Sequence, residues 1–282
     1  MDKNIIRELL KVYLAEDVGD GDHTSLSTIP QGTQGKAKLL VKENGILAGV
    51  DLAIEIFGLI DSQLAVEVLM HDGDSMVIGD IALNVSGSVH SILKAERLVL
   101  NCVQRMSAIA TQTQKIVALL EGTNTKVLDT RKTTPGFRFF EKWAVKIGGG
   151  VNHRFGLYDM ILIKDNHVDY SGGIANAINN AKNYLQQNNK QLDIEIEVRN
   201  FTELEQAMQA GGVQRIMLDN FTTDNLKKAV EIIGGKFITE ASGGITIENV
   251  RSYAECGVDY ISIGALTHSV KSLDLSLKAF ND

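Results

Sequence analysis

Residues 210–220 read AGGVQRIMLDN, and residues 255–265 read ECGVDYISIGA. A looser copy, FGLYDMILIKDN, spans 155–166. Each carries a glycine-marked turn and then a short, nearly all-apolar run ending on small or polar groups. Such runs fit strands of a parallel sheet buried on both faces. The same texture recurs as KVLD (126–129), MILI (160–163), IEIEV (194–198), RIML (215–218), FITE (237–240) and YISI (260–263). Their starts lie about 34, 34, 21, 22 and 23 residues apart, which leaves room for a helix after each strand. The pattern predicts an open or complete (β/α) barrel of the TIM-like type.

Upstream of residue 124 the texture is different. Ile5, Ile6, Leu9, Leu10, Val12 and Tyr13 give residues 4–16 a helical period. DVGDGDHTS follows as an acidic loop. Its Asp17, Asp20 and Asp22 lack the spacing and the bidentate glutamate of a calcium loop, so turn and helix-cap chemistry is the better reading. Short β-like runs then fill Gly35–Ser88, interrupted by a helix near 51–60. A long helical pattern runs from about Ile92 to Leu120 and carries Arg97 and Arg105. The expected division is an N-terminal domain of residues 1–108, ending at a break in that pattern, and a barrel of residues 109–269. The tail, 270–282, is expected to pack on the first domain.

The 282 residues are 44% hydrophobic and 22% charged, with a net charge of −7. This balance argues against general nucleic-acid binding, which needs a broad basic surface. No apolar run is long enough to span a bilayer, and the N-terminal stretch reads as an amphipathic helix rather than a signal peptide. Cys102 and Cys256 form no CxxC and offer no disulfide framework, so reduced thiols in a cytoplasmic protein are the simplest expectation.

Against this acidic background the stretch Arg131–Lys164 stands out. It holds Arg131, Lys132, Arg138, Lys142, Lys146, Arg154 and Lys164 against only Glu141 and Asp159, a surplus of five positive charges. A small polyanion is the natural counterpart. In a (β/α) barrel the active site lies where strands end. The strand ends here carry Arg131 and Lys132, then Lys164, then Glu197 and Asp219, then Glu240 with Ser242, Gly243 and Gly244, and finally Gly264. Arg131, Lys132, Arg154 and Lys164 read as anion ligands, with solvated loop cations as the alternative. His153 lies in NHR between two of them and reads as a hydrogen-bonding group; His268 is balanced between site and surface. Glu197 and Asp219 suit either a divalent cation bridging to phosphate or plain salt bridges to Lys164 and its neighbours. Ser242-Gly243-Gly244 and Gly264 suit a phosphate site made of backbone N–H groups, with ordinary turns as the alternative. Arg138, Lys142 and Lys146 share one stripe of a helix that Thr134-Pro135 starts and Gly148-Gly149-Gly150 stops. That stripe reads equally as an anion-compensated face and as a solvated one. Phe139, Phe140, Trp143 and Ile147 read as core.

The blocks DTRKTTPGFRFFEKWAVKIGGGVNHRFGLYDMILIKDNH (129–167), LDNF (218–221), EASGGIT (240–246) and ISIGALTHS (261–269) resemble the quinolinate phosphoribosyltransferase family. EDVGDGDHTS and AERLVLN (95–101) add to the likeness, which covers essentially the whole chain. The resemblance implies an N-terminal α/β sandwich domain plus an open α/β barrel. It implies transfer of phosphoribosyl from phosphoribosyl pyrophosphate (PRPP) to quinolinate with decarboxylation, with Mg²⁺ and no organic cofactor. By motif, Arg131, Lys132, His153, Arg154 and Lys164 would bind quinolinate, joined by Arg97 from a neighbouring subunit. Lys164, Glu197 and Asp219 would serve the ribose and the metal. Ser242, Gly243, Gly244, Gly264 and His268 would serve phosphate. A homodimer with shared active sites is implied, with a hexamer as the alternative. Two other readings compete: a paralogue using another pyridine or aromatic acid, and a non-catalytic anion-binding barrel, which the strand-end acids Glu197 and Asp219 disfavour.

Overall fold

The computed structural model describes residues 3–280; the parts of the domain and tail expectations that fall on residues 1, 2, 281 and 282 lie outside the described residues. The first half runs α1 (Lys3–Val18), α2 (His23–Thr28), β1 (Gln34–Val41), β2 (Gly45–Ile46), α3 (Val50–Ile60), β3 (Ala65–Val68), β4 (Ser75–Met76), β5 (Ile81–Ser88) and α4 (Val89–Leu119). The second runs β6 (Lys126–Leu128), α5 (Arg138–Ile147), β7 (Ile161–Ile163), α6 (Asp165–Ser171), α7 (Ile174–Gln187), β8 (Ile194–Val198) and α8 (Phe201–Ala210). It ends with β9 (Arg215–Asp219), α9 (Thr223–Ile233), β10 (Ile238–Ser242), α10 (Val250–Ala254), β11 (Tyr260–Ser262), α11 (Ala265–His268) and β12 (Leu275–Ala279).

Two compact units result. The first holds the residues up to Gln114, Thr134–Gly149 and those from Ser269 onward. Its sheet has the order β12-β1-β5-β3 and is antiparallel throughout. The tail strand β12 pairs with β1 from Ala37–Ala279 to Val41–Leu275. Local chemistry sets the helix starts. The acidic loop resolves into a cap, with Asp22 Oδ1 accepting the Ser25 N–H at 3.1 Å to begin α2. Asp72 does the same for α3, accepting the N–H groups of Gly49 and Val50 at 2.7 and 2.8 Å.

Several expectations change in this unit. No break occurs near residue 108: α4 is continuous from Val89 to Leu119. The polar residues that look like a break face inward instead. Ser107 Oγ accepts the Ala48 N–H at 2.9 Å, and Thr111 Oγ1 accepts the Ile46 N–H at 2.8 Å. The segment 134–149, expected in the barrel, belongs here. Tyr13 donates its hydroxyl hydrogen to the Gly136 carbonyl at 2.6 Å, and its ring lies 6.2 Å from that of Phe140. Glu141, fully buried, accepts from Arg105 Nη2 at 2.9 Å and from the Thr134 N–H at 3.1 Å. Gly148 is needed where it stands, since a Cβ there would lie 2.7 Å from the Thr113 Cβ.

Helix α5 also starts later than expected, at Arg138 rather than at Thr134-Pro135, because the chain first makes a turn from Thr134 to Phe137. Its stripe of cations is no stripe in the folded chain: Lys142 is buried while Lys146 is exposed. Of the four residues read as core, Phe140 is fully buried and Phe139, Trp143 and Ile147 are partly covered.

The second unit, Lys115–Thr133 with Gly150–His268, is an open barrel. Its six strands run parallel in the order β6-β11-β10-β9-β8-β7. Helix caps come from Asn200, which accepts the Glu203 N–H at 2.9 Å, and from Thr222. Ile194, Ile196 and Val198 of β8 share one buried face, so Glu195 and Glu197 share the other. Among the described residues no helix is long and apolar enough to cross a membrane.

Candidate active site

A cavity of about 340 Å³ opens in the second unit, lined by Thr130, Arg131, Lys132, His153, Arg154, Leu162, Lys164, Met217, Glu240, Ser242 and Ser262. All four strand-end cations singled out from the sequence meet in it, together with His153 and Ser242. Each is delivered by a short loop: Arg131 and Lys132 follow β6, His153 and Arg154 follow the bridge of Val151 to Leu128, and Lys164 caps α6 after β7. Lys164 is held at its backbone by His167, whose Nδ1 accepts its N–H at 2.9 Å. Partial burial and the charge of Arg131 both lower the pKa of Arg154. Two guanidinium groups that disfavour each other in a partly closed space constitute a site for an anion.

The acids stand beside these cations. Lys164 Nζ lies 2.6 Å from Glu197 Oε2, and Glu197 is buried. Asp219 ends β9 next to β8, and its pKa is raised first by burial and then by the charge of Glu197. The glycine loop is tightly fitted. Gly243, at φ +94°, sits where a Cβ would lie 2.6 Å from Asn220 Cγ. Asn220 in turn donates to Asp219 Oδ2 at 2.6 Å. Gly264 precedes α11 so closely that a Cβ would lie 3.0 Å from both Lys132 Cδ and His268 Cδ2. His268 is exposed at the end of that helix. Arg97 is an exposed residue of α4 in the first unit, where it lines a cavity of about 500 Å³ with Tyr13, Glu16, Arg105 and Thr134 among others.

His153 and the strand-end Glu240 meet two residues the sequence reading passed over, Glu195 and Arg215. His153 Nε2 faces Glu195 Oε2 at 3.0 Å and Glu240 Oε2 at 3.5 Å, and Glu240 Oε2 also takes Arg215 Nη1 at 2.8 Å. Glu195 and Glu240 are fully buried. Burial disfavours charge on His153, but the hydrogen bonds and charges of the two carboxylates outweigh it and push its pKa up to about 9. Burial first, and then the charge of Glu240, push the Glu195 carboxyl above its usual range. Burial opposes the Glu240 carboxylate too, yet His153 and Arg215 hold its pKa below the usual value. One sequence signal could have found Glu195: the alternation I-E-I-E-V puts it on the same strand face as Glu197, one step deeper. Asp129, fully buried at the end of β6, accepts the His153 N–H at 2.9 Å.

Two family models cover most of the chain. Residues 22–107 match the model of the quinolinate phosphoribosyl transferase N-terminal domain, and residues 109–278 match that of the C-terminal domain. The chain is 47% identical to the chloroplastic nicotinate-nucleotide pyrophosphorylase [carboxylating] of Arabidopsis thaliana, over 97% of this chain and 82% of that one. It is 42% identical to the probable nicotinate-nucleotide pyrophosphorylase [carboxylating] of Bacillus subtilis, over 96% and 92%. The crystal structure of NadC from Streptococcus pyogenes superposes with a TM-score of 0.93 at 38% identity, covering 100% of this chain and 99% of that chain. A nicotinate-nucleotide pyrophosphorylase structure from Francisella tularensis gives 0.91 at 40% identity, covering 99% and 98%. With both domain models matched in order and the cation-lined cavity in the C-terminal one, the chain belongs to the quinolinate phosphoribosyltransferase family.

Proposed function

We propose that the chain transfers phosphoribosyl from PRPP to quinolinate and releases nicotinate mononucleotide, pyrophosphate and carbon dioxide. It is a decarboxylating pentosyltransferase. The observation that carries this is the convergence of Arg131, Lys132, Arg154 and Lys164 on one cavity of about 340 Å³. Quinolinate has two adjacent carboxylates. Arginine can bind a carboxylate in a two-pronged way, and lysine supplies a compact charge beside it. Held so, the pyridine nitrogen attacks the ribose carbon as pyrophosphate leaves. Positive charge then spreads over the sugar, where Glu197 and Asp219 stabilise it. Once the nitrogen is ribosylated and positive, the carbon that loses its carboxylate keeps the electron pair beside that charge. Decarboxylation therefore needs no organic cofactor.

Glu197 and Asp219 fit Mg²⁺. They are hard oxygen donors on neighbouring strand ends, and burial first, then the nearby Glu197 charge, raises the pKa of Asp219, which a cation between the two acids would offset. They would hold the ion directly, through water or through the phosphates of PRPP. When bound, Mg²⁺ supplies charge stabilisation to the departing pyrophosphate. Ser242, Gly243, Gly244, Gly264 and His268 take the 5′-phosphate side of PRPP. The working form is a homodimer in which Arg97 of one subunit completes the quinolinate site of the other. Two buried free cysteines and an acidic surface suit a reducing compartment, the cytoplasm. The test is an assay of carbon dioxide and pyrophosphate release from quinolinate with PRPP and Mg²⁺, run against nicotinate. Release of both with quinolinate and little pyrophosphate with nicotinate is expected; pyrophosphate release as ready from nicotinate would return the chain to a paralogous activity.

A further inference from the structure

The buried pair Glu195 and Glu240 is not used by the chemistry above, yet Glu240 lines the cavity and Glu195 meets the same histidine. A fully buried carboxylate costs several kcal/mol unless it is paired, so two of them in one barrel interior need a reason. Their partners are His153 at 3.0 and 3.5 Å and Arg215 at 2.8 Å. The ring of His153 has polar neighbours at both edges, although Nε2 and both Glu195 oxygens lack a hydrogen bond of good geometry. Nε2 faces the two carboxylates, and Nδ1 accepts the backbone N–H of Arg154 at 2.7 Å. In the neutral ring the hydrogen lies on Nε2, because Nδ1 offers its lone pair to the Arg154 N–H; the two carboxylates pull the other way, toward the charged ring. The histidine backbone is fixed independently by Asp129 at 2.9 Å. Arg154 then sends its guanidinium back to the Met160 carbonyl at 3.1 Å and into the cavity.

We propose that Glu195 and Glu240 are positioning residues of the dicarboxylate site, which clamp His153 and through it set where Arg154 meets the substrate. The inference rests on the assignment of the cavity to quinolinate. In this view His153 works mainly as a strut. Its ring turns toward the barrel interior, and the face of Arg154 toward the cavity follows from the Nδ1 contact. The arrangement also answers an electrostatic difficulty. Two carboxylates beneath a dianion would repel it, but His153 covers both and Arg215 neutralises Glu240 from the far side.

The test is calorimetric binding of quinolinate and, separately, of PRPP with Mg²⁺, to the full-length wild type and to Glu195→Ala, Glu195→Gln, Glu240→Gln, His153→Ala and His153→Ala with Glu195→Ala. Losing an acceptor that positions a charged ligand group is expected to weaken quinolinate about tenfold or more in Glu195→Ala. Glu195→Gln, which keeps an acceptor, should recover part of that. PRPP affinity should stay within about twofold in both, which a merely structural loss would not allow. In the His153→Ala background, adding Glu195→Ala should weaken quinolinate by less than about twofold, since the effect passes through the ring. Quinolinate affinity unchanged in Glu195→Ala, or losses that multiply in the double variant, would overturn the proposal. If Glu195→Ala does not fold, unchanged quinolinate affinity in both glutamine variants overturns it equally. Wild type that binds no quinolinate would sink the assignment of the cavity rather than the clamp.

Discussion

Replacing Gly243 by alanine tests how tightly the glycine loop is tied to the acids, and Gly244→Ala is its built-in control. Both glycines have positive φ, +94° and +61°. Forcing an alanine into that region costs about 1–2 kcal/mol at either position. Their surroundings differ. A Cβ at Gly244 meets nothing within 4 Å, whereas at Gly243 it lies 2.6 Å from Asn220 Cγ and 3.0 Å from the Asn220 backbone nitrogen. Asn220 cannot retreat without loosening its donation to Asp219 Oδ2, at 2.6 Å, or its N–H to the Ser242 carbonyl, at 2.8 Å. A hydrogen bond to a charged acceptor contributes about 1.5–3 kcal/mol. Gly243→Ala should therefore be destabilised by about 2 kcal/mol more than Gly244→Ala, a further drop in melting temperature of about 4–8 °C. The disturbed Asp219 should also raise the KM for PRPP in Gly243→Ala alone. Thermal unfolding and steady-state kinetics read both effects. If the two variants melt together and share one PRPP KM, the contact with Asn220 is irrelevant and the coupling between loop and acid is refuted.

Four other outcomes follow from the same geometry. Arg131→Ala should fold normally by circular dichroism yet lose quinolinate binding; activity within a few-fold of wild type would contradict the cation cradle. Arg97→Ala subunits mixed with Lys164→Ala subunits should regain part of the activity, and no recovery despite confirmed subunit exchange would count against a shared site. Glu141→Ala leaves the Arg105 guanidinium without its buried partner, so it should cost about 3–5 kcal/mol in urea unfolding, and a loss under about 1 kcal/mol would show that ion pair to be dispensable. Burial pushes the Cys102 thiol up to about 12, so the folded state disfavours its thiolate; its contribution to stability is complete below pH 9 and lost as pH climbs toward 12. Maleimide at pH 8 should accordingly leave Cys102 unlabelled in the native protein and label it in urea.

The strands of the barrel were legible because each is short, apolar and followed by its helix at a regular interval, and tertiary structure does little to alter such a pattern. The first unit was legible in its elements and less so in its limits. Ser107 and Thr111 interrupt the apolar period of α4, but their hydroxyls bind the backbone of the neighbouring β2 segment, so the helix runs on. Lys142 shares a sequence stripe with Lys146, yet one is buried and the other exposed, because what covers α5 comes from α1 and α4 far away in sequence. The cations of the cavity were legible as a charge surplus. Arg97 was legible only through the AERLVLN motif, since nothing local marks an exposed arginine on a long helix as functional. Glu195 was hidden inside an apolar strand, where a glutamate reads as noise unless the two-residue period is followed inward.

Charge in this barrel is arranged in two ranks, and the ranks explain one another. The lower holds Glu195 and Glu240 against His153 and Arg215, so its acids are answered within the protein. The upper holds Arg131, Lys132, Arg154 and Lys164 around the cavity, with Glu197 answering only Lys164 at 2.6 Å. Glu240 reaches the cavity wall, but His153 and Arg215 answer its charge, so it does not neutralise Arg131 and Arg154. With His153 beside both lower acids and Arg215 on Glu240, the positive surplus of the upper rank is left to the ligand. A fold can keep like charges close in a partly buried space when an anion completes them during the work cycle. Burial first, and then the neighbouring charge of Arg131, lower the pKa of Arg154, and an anion between the two guanidinium groups would offset both.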